Sequence, residues 1–426
     1  VTATAGRPSP PRAGTVRRAP VLRRPAGQLA VALLLVAATV GWRRGQYFSG
    51  TVDTVVAGKA AVGLLALGLA FLAATGGSRR PVGTGTLWVL AALLGGSVLG
   101  AWTSGSVFSG GLVATRVAIV GLAVFLLLRS ADARSVLLAL TRACGLVALA
   151  ATVTGLPSAA TGRLAGGLPP LAPNELALLA GVVVLVGTWS LLLGGGRWPT
   201  ALAVLAATGV VWATGSRTGL AMLLLGVLVV VLHVRRFPLW SLVGGPVAAA
   251  AATAAALGTD LLAGFAGRDG DGIGTLESRF IAWDAARTWA GSAWQAVLGG
   301  GLSVKVIRVR GQWWTEQPLD SSWVSVFVQA GVLGLAIAAC WVLWVVRGAL
   351  RVPPPHRALL LGLLVFLVGR SVVESGLFDA TPAFLLFLAV SLLAEGGGRR
   401  RLQHESAPPG GPAARSADDR REVGIG

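Results

Sequence analysis

Leu176 to Gly196 reads LALLAGVVVLVGTWSLLLGGG, 21 positions without a charged side chain. An α-helix needs about 20 predominantly apolar residues to cross the ~30 Å hydrocarbon core of a bilayer, so this run can span one. Similar uncharged runs of about 17–25 residues recur along the chain. Their rough centres fall near Leu35, Leu64, Leu93, Val120, Leu146, Val183, Leu205, Leu225, Ala250, Ala338, Leu363 and Leu388. The composition agrees: of 426 residues, 54% are hydrophobic and 12% charged, about half the charged share of a soluble domain. So few charges cannot cover a water-facing surface, which leaves lipid as the main solvent. Alternating strand patterns of about ten residues are absent, so helices and not a barrel satisfy the backbone. The expectation is an all-α integral membrane protein with about 12 transmembrane helices.

Outward from that run, the chain divides by composition. Residues 1–25 are Arg/Pro-rich without apolar period and read as a disordered cytoplasmic tail. The run from Gln28 to Gly41 ends in no small-x-small cleavage site and further spans follow, so it reads as a retained first helix. Nine spans are expected over 26–257, one large external loop over 258–322, three more spans over 323–395, and a second disordered tail over 396–426. Every second connection carries arginine: Arg79 and Arg80, Arg129 and Arg134, Arg197, Arg235 and Arg236, Arg347, Arg351 and Arg357, then Arg399, Arg400 and Arg401. The positive-inside rule then places both termini in the cytoplasm, with Arg43 and Arg44 as the outer-side exception. The formal net charge of +19 resides in these connections, the pattern of an oriented membrane protein and not of a nucleic-acid binder. Cys144 and Cys340 lie inside apolar runs without metal-ligand spacing and read as small core residues. The external loop has helical pattern and six tryptophans from Trp283 to Trp323. It is expected to pack on the outer membrane face, with Trp313, Trp314 and Trp323 at headgroup level.

Polar groups placed where lipid makes them expensive are functional candidates. Arg217 lies in Gly215-Ser216-Arg217-Thr218-Gly219, an outward-facing turn whose glycines let backbone N–H groups approach an anion while the guanidinium holds phosphate oxygens. The alternative is an arginine snorkelling at a helix end. In Glu277-Ser278-Arg279-Phe280-Ile281-Ala282-Trp283-Asp284-Ala285-Ala286-Arg287, Ser278 can cap a helix on which Arg279, Trp283 and Arg287 share one face. Two cations around an aromatic plate suit an anionic, partly apolar ligand; equally, they suit an interfacial helix meeting anionic headgroups. Asp320 stands where the large loop re-enters the membrane, either as a general base with raised pKa or as the cap of the next helix. Arg370 and Glu374 lie one turn apart near the outer end of a span, with Asp379 following, either as a structural ion pair or as a binding pair. Asn174-Glu175, at the outer start of another span, carries the same ambiguity. All of these lie on one side of the membrane in this topology.

No Walker A sequence, His/Cys metal cluster or G-x-S-x-G elbow is present. The three histidines, His233, His356 and His404, fall on the expected cytoplasmic side. Gly299-Gly300-Gly301 reads as flexible loop or helix-end material.

Three stretches, in order, carry a resemblance: Pro173-Asn174-Glu175-Leu176-Ala177; Gly215-Ser216-Arg217-Thr218-Gly219; and Arg279 to Trp283, followed by Gly299-Gly300-Gly301 and Gln329-Ala330-Gly331-Val332-Leu333-Gly334-Leu335. Together with the large external loop, these make the chain similar to the O-antigen ligase and polymerase superfamily of bacterial cell-envelope glycan assembly, over roughly its second half. The resemblance implies a metal-independent glycosyltransferase of GT-C-like architecture in the bacterial cytoplasmic membrane, with no cofactor. It also implies a polyprenyl-diphosphate-linked glycan as donor and a glycan or other envelope hydroxyl as acceptor. Arg217 and Arg279 fall on the family's arginines, implied to hold the diphosphate. The family's ligases carry a histidine near the end of the large loop; here that stretch is Pro318-Leu319-Asp320-Ser321-Ser322-Trp323, and Asp320 is the substitute base. The competing expectation is a transporter or flippase, with Arg370 and Glu374 lining a path for a lipid-linked or anionic substrate.

Overall fold

A computed structural model of the chain describes residues 25–43, 52–75, 80–160, 162–234, 274–309 and 315–406. Within them the backbone forms α1 (Pro25–Thr39), α2 (Thr54–Thr75), α3 (Gly85–Thr103), α4 (Val107–Ser130), α5 (Ala133–Ala160), α6 (Pro173–Leu192), α7 (Trp198–Ala213) and α8 (Arg217–Val234). After residues outside the description come α9 (Gly274–Arg287), α10 (Ala293–Leu298), a hairpin of β1 (Val306–Arg308) and β2 (Glu316–Pro318), α11 (Ser322–Leu350), α12 (Pro354–Ser371), α13 (Pro382–Ala394) and α14 (Gly396–Ser406). The hairpin is antiparallel, Ile307 opposite Gln317. Among the described residues, α2 to α6, α8 and α11 are seven helices long and apolar enough to cross a membrane, or eight spans if α13 and α14, bent by 72°, count as one. This is the architecture of an all-α multi-pass membrane protein. Eleven of the twelve expected span centres fall inside these helices, α1 and α7 being shorter apolar ones. The centre at Ala250, Arg44, Arg79, Arg235, Arg236, Trp313, Trp314 and the start of the large loop lie outside the described residues.

The packing follows from which helices are apolar all round. Twelve of the 13 residues of α13 are buried, and a helix without a polar face belongs in the core. It touches α1, α3, α4, α11 and α12. Helices α2 and α8 stand at the rim and expose Leu64, Leu65, Phe71, Leu72, Leu224, Leu225, Leu228 and Leu232, a surface that suits hydrocarbon and not water. Where α8 crosses α12, Gly226 and Gly362 meet so closely that a Cβ on Gly362 would stand 2.9 Å from the Gly226 carbonyl oxygen. Small residues permit such backbone approach between spanning helices.

The helix ends segregate into two sets. One end carries α9, α10 and the hairpin and is called here the loop end. The other gathers Arg129, Arg134, Arg197, Arg347, Arg351, Arg357 and the first residues of α14. There Arg80 pairs with Asp132, and Glu395 accepts from the N–H of Gly85 at 2.7 Å. Residues 396–406, expected as tail, are helical, and the buried Arg401 donates to the carbonyl oxygens of Leu128 at 2.6 Å and of Ala131. Arg43, the exception at the loop end, is paired with Asp53 at 2.6 Å. Of the cysteines, Cys144 is buried as expected, whereas Cys340 is exposed on the outer side of α11.

At the loop end α11 breaks at Gly331, whose φ of 67° favours glycine. A Cβ there would strike the Val297 carbonyl. The break admits the Gly299-Gly300-Gly301 segment, which is helix-end material as expected, Gly299 being the C-cap of α10. Gly300 and Gly301 donate their N–H groups to the carbonyls of Val328 and Gln329, both at 2.9 Å. Ser97 on α3 donates to the Gln329 carbonyl at 3.0 Å, and Ser106 to that of Gly300 at 3.1 Å. The large loop is thus pinned to two helices beside the candidate site.

Candidate functional site

Two connections at the loop end, 162–172 and 372–381, bring together side chains from five parts of the chain. Asn174, in the first turn of α6, is the pivot. Its Nδ2 donates to Oε1 of Glu374 at 2.6 Å, its Oδ1 accepts from Arg163 at 3.3 Å, and its carbonyl accepts from Arg370 at 2.7 Å. Glu374 also accepts from Arg279 of α9 at 3.3 Å, both side chains being mostly buried. Arg163 donates from Nε to the Thr214 carbonyl at 2.9 Å. That bond reaches the turn before α8, where Gly215 has φ 63° and Ser216 caps the helix by accepting from the Gly219 N–H at 3.3 Å. Arg217 opens α8 from this turn with its side chain exposed. A tight turn with a glycine in the left-handed region, read from Gly215 to Gly219, is what forms.

The pair Arg370 and Glu374 is not the intra-helical i, i+4 bridge expected. Helix α12 ends at Ser371, so Glu374 lies beyond it, and Arg370 turns its Nη2 to Asn174. Arg370 is 5% exposed and its Nε is buried without a partner. The connection that carries Glu374 is held by Ser322, which donates to the Glu374 carbonyl from Oγ at 2.8 Å and from its N–H at 3.1 Å. Ser321, whose Oγ accepts from Val324, caps α11. Asp320 is therefore not the cap. Burial pushes its carboxyl up, and nearby Arg279 pulls it partly back. Burial likewise raises the Glu374 carboxyl, against the pull of Arg370 and Arg279.

Next to this cluster, Glu175 accepts from the Gly41 N–H at 3.1 Å. Lys59 of α2 faces both Glu175 and Asp379 across the same end, and Arg116 of α4 faces Asp379. Arg116 donates to the carbonyls of Ala38 at 2.9 Å and Ala380 at 3.3 Å. Lys305 of the large loop pairs with Asp379 at 2.5 Å. Burial opposes ionisation of Asp379, but Lys305, Arg116 and the Ala380 N–H together hold its carboxyl below the usual range.

Two expected residues stand apart. Helix α9 starts at Gly274, so Ser278 lies within it and does not cap it. Arg287, at its far end, is 82% exposed beside Asp284, whereas Arg279 is 17% exposed in the cluster; the two arginines do not flank one plate. Trp283 packs into a small core with Ala282, Ala286, Ile307 and Leu319, edge-on to Phe280 at 5.4 Å. Trp323 turns inward as well, donating to Ser371 at 3.0 Å and meeting Phe378 edge-on in the first turn of α11. Arg163, Lys59, Arg116 and Lys305 were not anticipated. Only their rarity as cations in apolar surroundings could have marked them. Among the described residues, no group of three or more His, Cys, Asp or Glu side chains has the spacing of a metal site.

Chemically, the loop end offers several guanidinium groups, two carboxyls raised by burial and one carboxamide, under a loop fixed to the helices. Comparison with known proteins finds no family model that matches this chain and no curated protein that matches it.

Proposed function

We propose that the protein is a membrane glycosyltransferase that moves glycan from a polyprenyl diphosphate to an acceptor hydroxyl at the loop end, in the manner of the O-antigen ligases and polymerases. The observation that carries this reading is the convergence of Arg163, Arg279 and Arg370 on Asn174 and Glu374, beside the turn bearing Arg217. A diphosphate leaving group gathers negative charge as its bond to the sugar breaks, and preorganised guanidinium groups out of water stabilise that charge strongly. Arg279 and Arg217 hold the phosphates, and Glu374 keeps Arg279 in position until they arrive. Asp320, its carboxyl raised by burial, takes the proton of the acceptor hydroxyl. The acceptor oxygen bonds to the anomeric carbon, and the electron pair of the broken C–O bond leaves with the diphosphate. Arg287, exposed farther along α9, meets the glycan, while Trp283 packs in the small core of the loop. In this reading the loop end faces outward from a bacterial cytoplasmic membrane, both termini are cytoplasmic, and the chain crosses about 12 times in a GT-C-like arrangement.

The test is the profile of lipid-linked glycans in a deletion strain restored with wild type or with Arg279→Ala. Single repeat units accumulating indicate a polymerase, and long chains left on the carrier a ligase; Arg279→Ala rescues neither. An unchanged profile on deletion, or full rescue by Arg279→Ala, removes the enzyme reading and favours a transporter.

A further inference from the structure

The end opposite the loop holds a recess of about 650 Å³ that the proposed chemistry does not use. Its wall is formed by the first turns of α5 and α12 and by the turn after α6, and its lining includes Asp132, Arg134, Ser135, Trp189, Gly195 and His356. Trp189 is 3% exposed and locked by its Nε1 donating to the Pro355 carbonyl at 2.7 Å. The Arg134 guanidinium lies over that ring, 6.0 Å from its centroid, with His356 5.9 Å away on another side. Stacking on indole orients a guanidinium without neutralising it. The carboxylate in the recess, Asp132, is taken by Arg80. Among the described residues no carboxylate lies within ion-pair distance of Arg134. Gly195 leaves room for it, since a Cβ there would stand 3.0 Å from its Nη2.

The start of α5 adds to this, since its first turn borders the recess with its positive end. A recess of mixed polar and apolar lining at a helix-bundle end, with an exposed guanidinium oriented on an indole, is suited to the phosphate and adjoining carbons of an anionic group. We propose that this recess binds a phosphate-bearing ligand, held by Arg134 and by the first turn of α5. The phosphate belongs to the headgroup of an anionic lipid or to a free anion in the adjoining aqueous phase; the chemistry of the contact is the same.

The experiment uses the purified full chain in detergent, with phosphatidylglycerol, phosphatidylcholine and inorganic phosphate as probes and native mass spectrometry as the readout. Saturable phosphatidylglycerol binding that exceeds phosphatidylcholine binding is expected. Arg134→Gln weakens it about tenfold, the loss of one charge-assisted contact. Gly195→Leu, which crowds the Arg134 guanidinium and fills the recess without changing the net charge, weakens it too, while Arg347→Gln, an exposed cation on α11 at the same end, does not. Displacement of the lipid by millimolar inorganic phosphate identifies the free anion as the ligand, and its failure to displace identifies the lipid headgroup. Equal binding of both lipids with no phosphate binding, or binding indifferent to both Arg134→Gln and Gly195→Leu, overturns the proposal.

Discussion

Replacing Arg279 with alanine separates a phosphate-holding arginine from a merely structural one. In the structure Arg279 makes one hydrogen bond to Glu374 at 3.3 Å, and Glu374 keeps its shorter bond from Asn174 when Arg279 is gone. The folding cost is therefore small, about 1 kcal/mol for one long bond at a partly buried site. The effect on rate is larger. A charge-assisted contact contributes about 1.5–3 kcal/mol, and tenfold in rate corresponds to about 1.4 kcal/mol, so the loss lies between about ten- and 150-fold. With Arg279 only 17% exposed, the upper end of that range, about 10²-fold, is expected. The assay follows release of polyprenyl diphosphate in membranes of the deletion strain supplied with its own lipid-linked glycan, with protein amount checked by immunoblot. Repeating the substitution in a Glu374→Gln background decides the role. If Arg279 only neutralises Glu374, removing it from an already neutral site is harmless. A rate within twofold of wild type for Arg279→Ala, or a defect that vanishes in that background, refutes the reasoning.

Asp320→Asn lowers the same rate by about 10² to 10⁴-fold with normal expression, and the wild-type acid limb of the pH–rate profile lies above the ordinary aspartate range because burial raises that carboxyl. Full activity of Asp320→Asn removes it as the base. Thermal unfolding against pH reads the other two carboxyls. Asp379, held low, contributes stability that is present above the unfolded value of about 3.9 and is lost as pH falls through its lower folded value, and Lys305→Met weakens this acid-side slope. Glu374, held high, does the reverse: its contribution is present below about 4.3 and is lost as pH rises through the folded value, so Glu374→Gln flattens that decline. Gly331→Ala destabilises the chain by about 1–3 kcal/mol through backbone strain alone, and by more because its Cβ meets the Val297 carbonyl; an unchanged unfolding temperature contradicts the packing described at the break.

Helix positions were legible because a spanning run is long and nearly uniform, so eleven expected centres needed only hydropathy. Boundaries set by single polar groups were less so. Asp320, Ser321 and Ser322 are all acceptable caps by type, and only the backbone decides that Ser321 is used. Ser278 has a good cap sequence, yet α9 begins a turn earlier. At the candidate site Asn174, Glu175, Asp320 and Glu374 were legible as polar residues near span ends, and Arg279 as a cation on a helix of the large loop. Their partners were not, since Asn174 and Glu374 are 200 positions apart. Arg163 sits in a connection, where an arginine is ordinary, and Lys59 and Lys305 are isolated. Arg279 and Arg287 share a helical face in the sequence but differ in burial, 17% against 82% exposed, because a shared face does not ensure shared surroundings.

The pinning of Gly300 and Gly301 to Val328 and Gln329 carries a kinetic signature. In hydrogen–deuterium exchange, those two amides belong to the same protected class as the spanning helices, although they sit in a loop. Their exchange requires the glycine segment to leave the break in α11, so they report the release of the large loop from that helix.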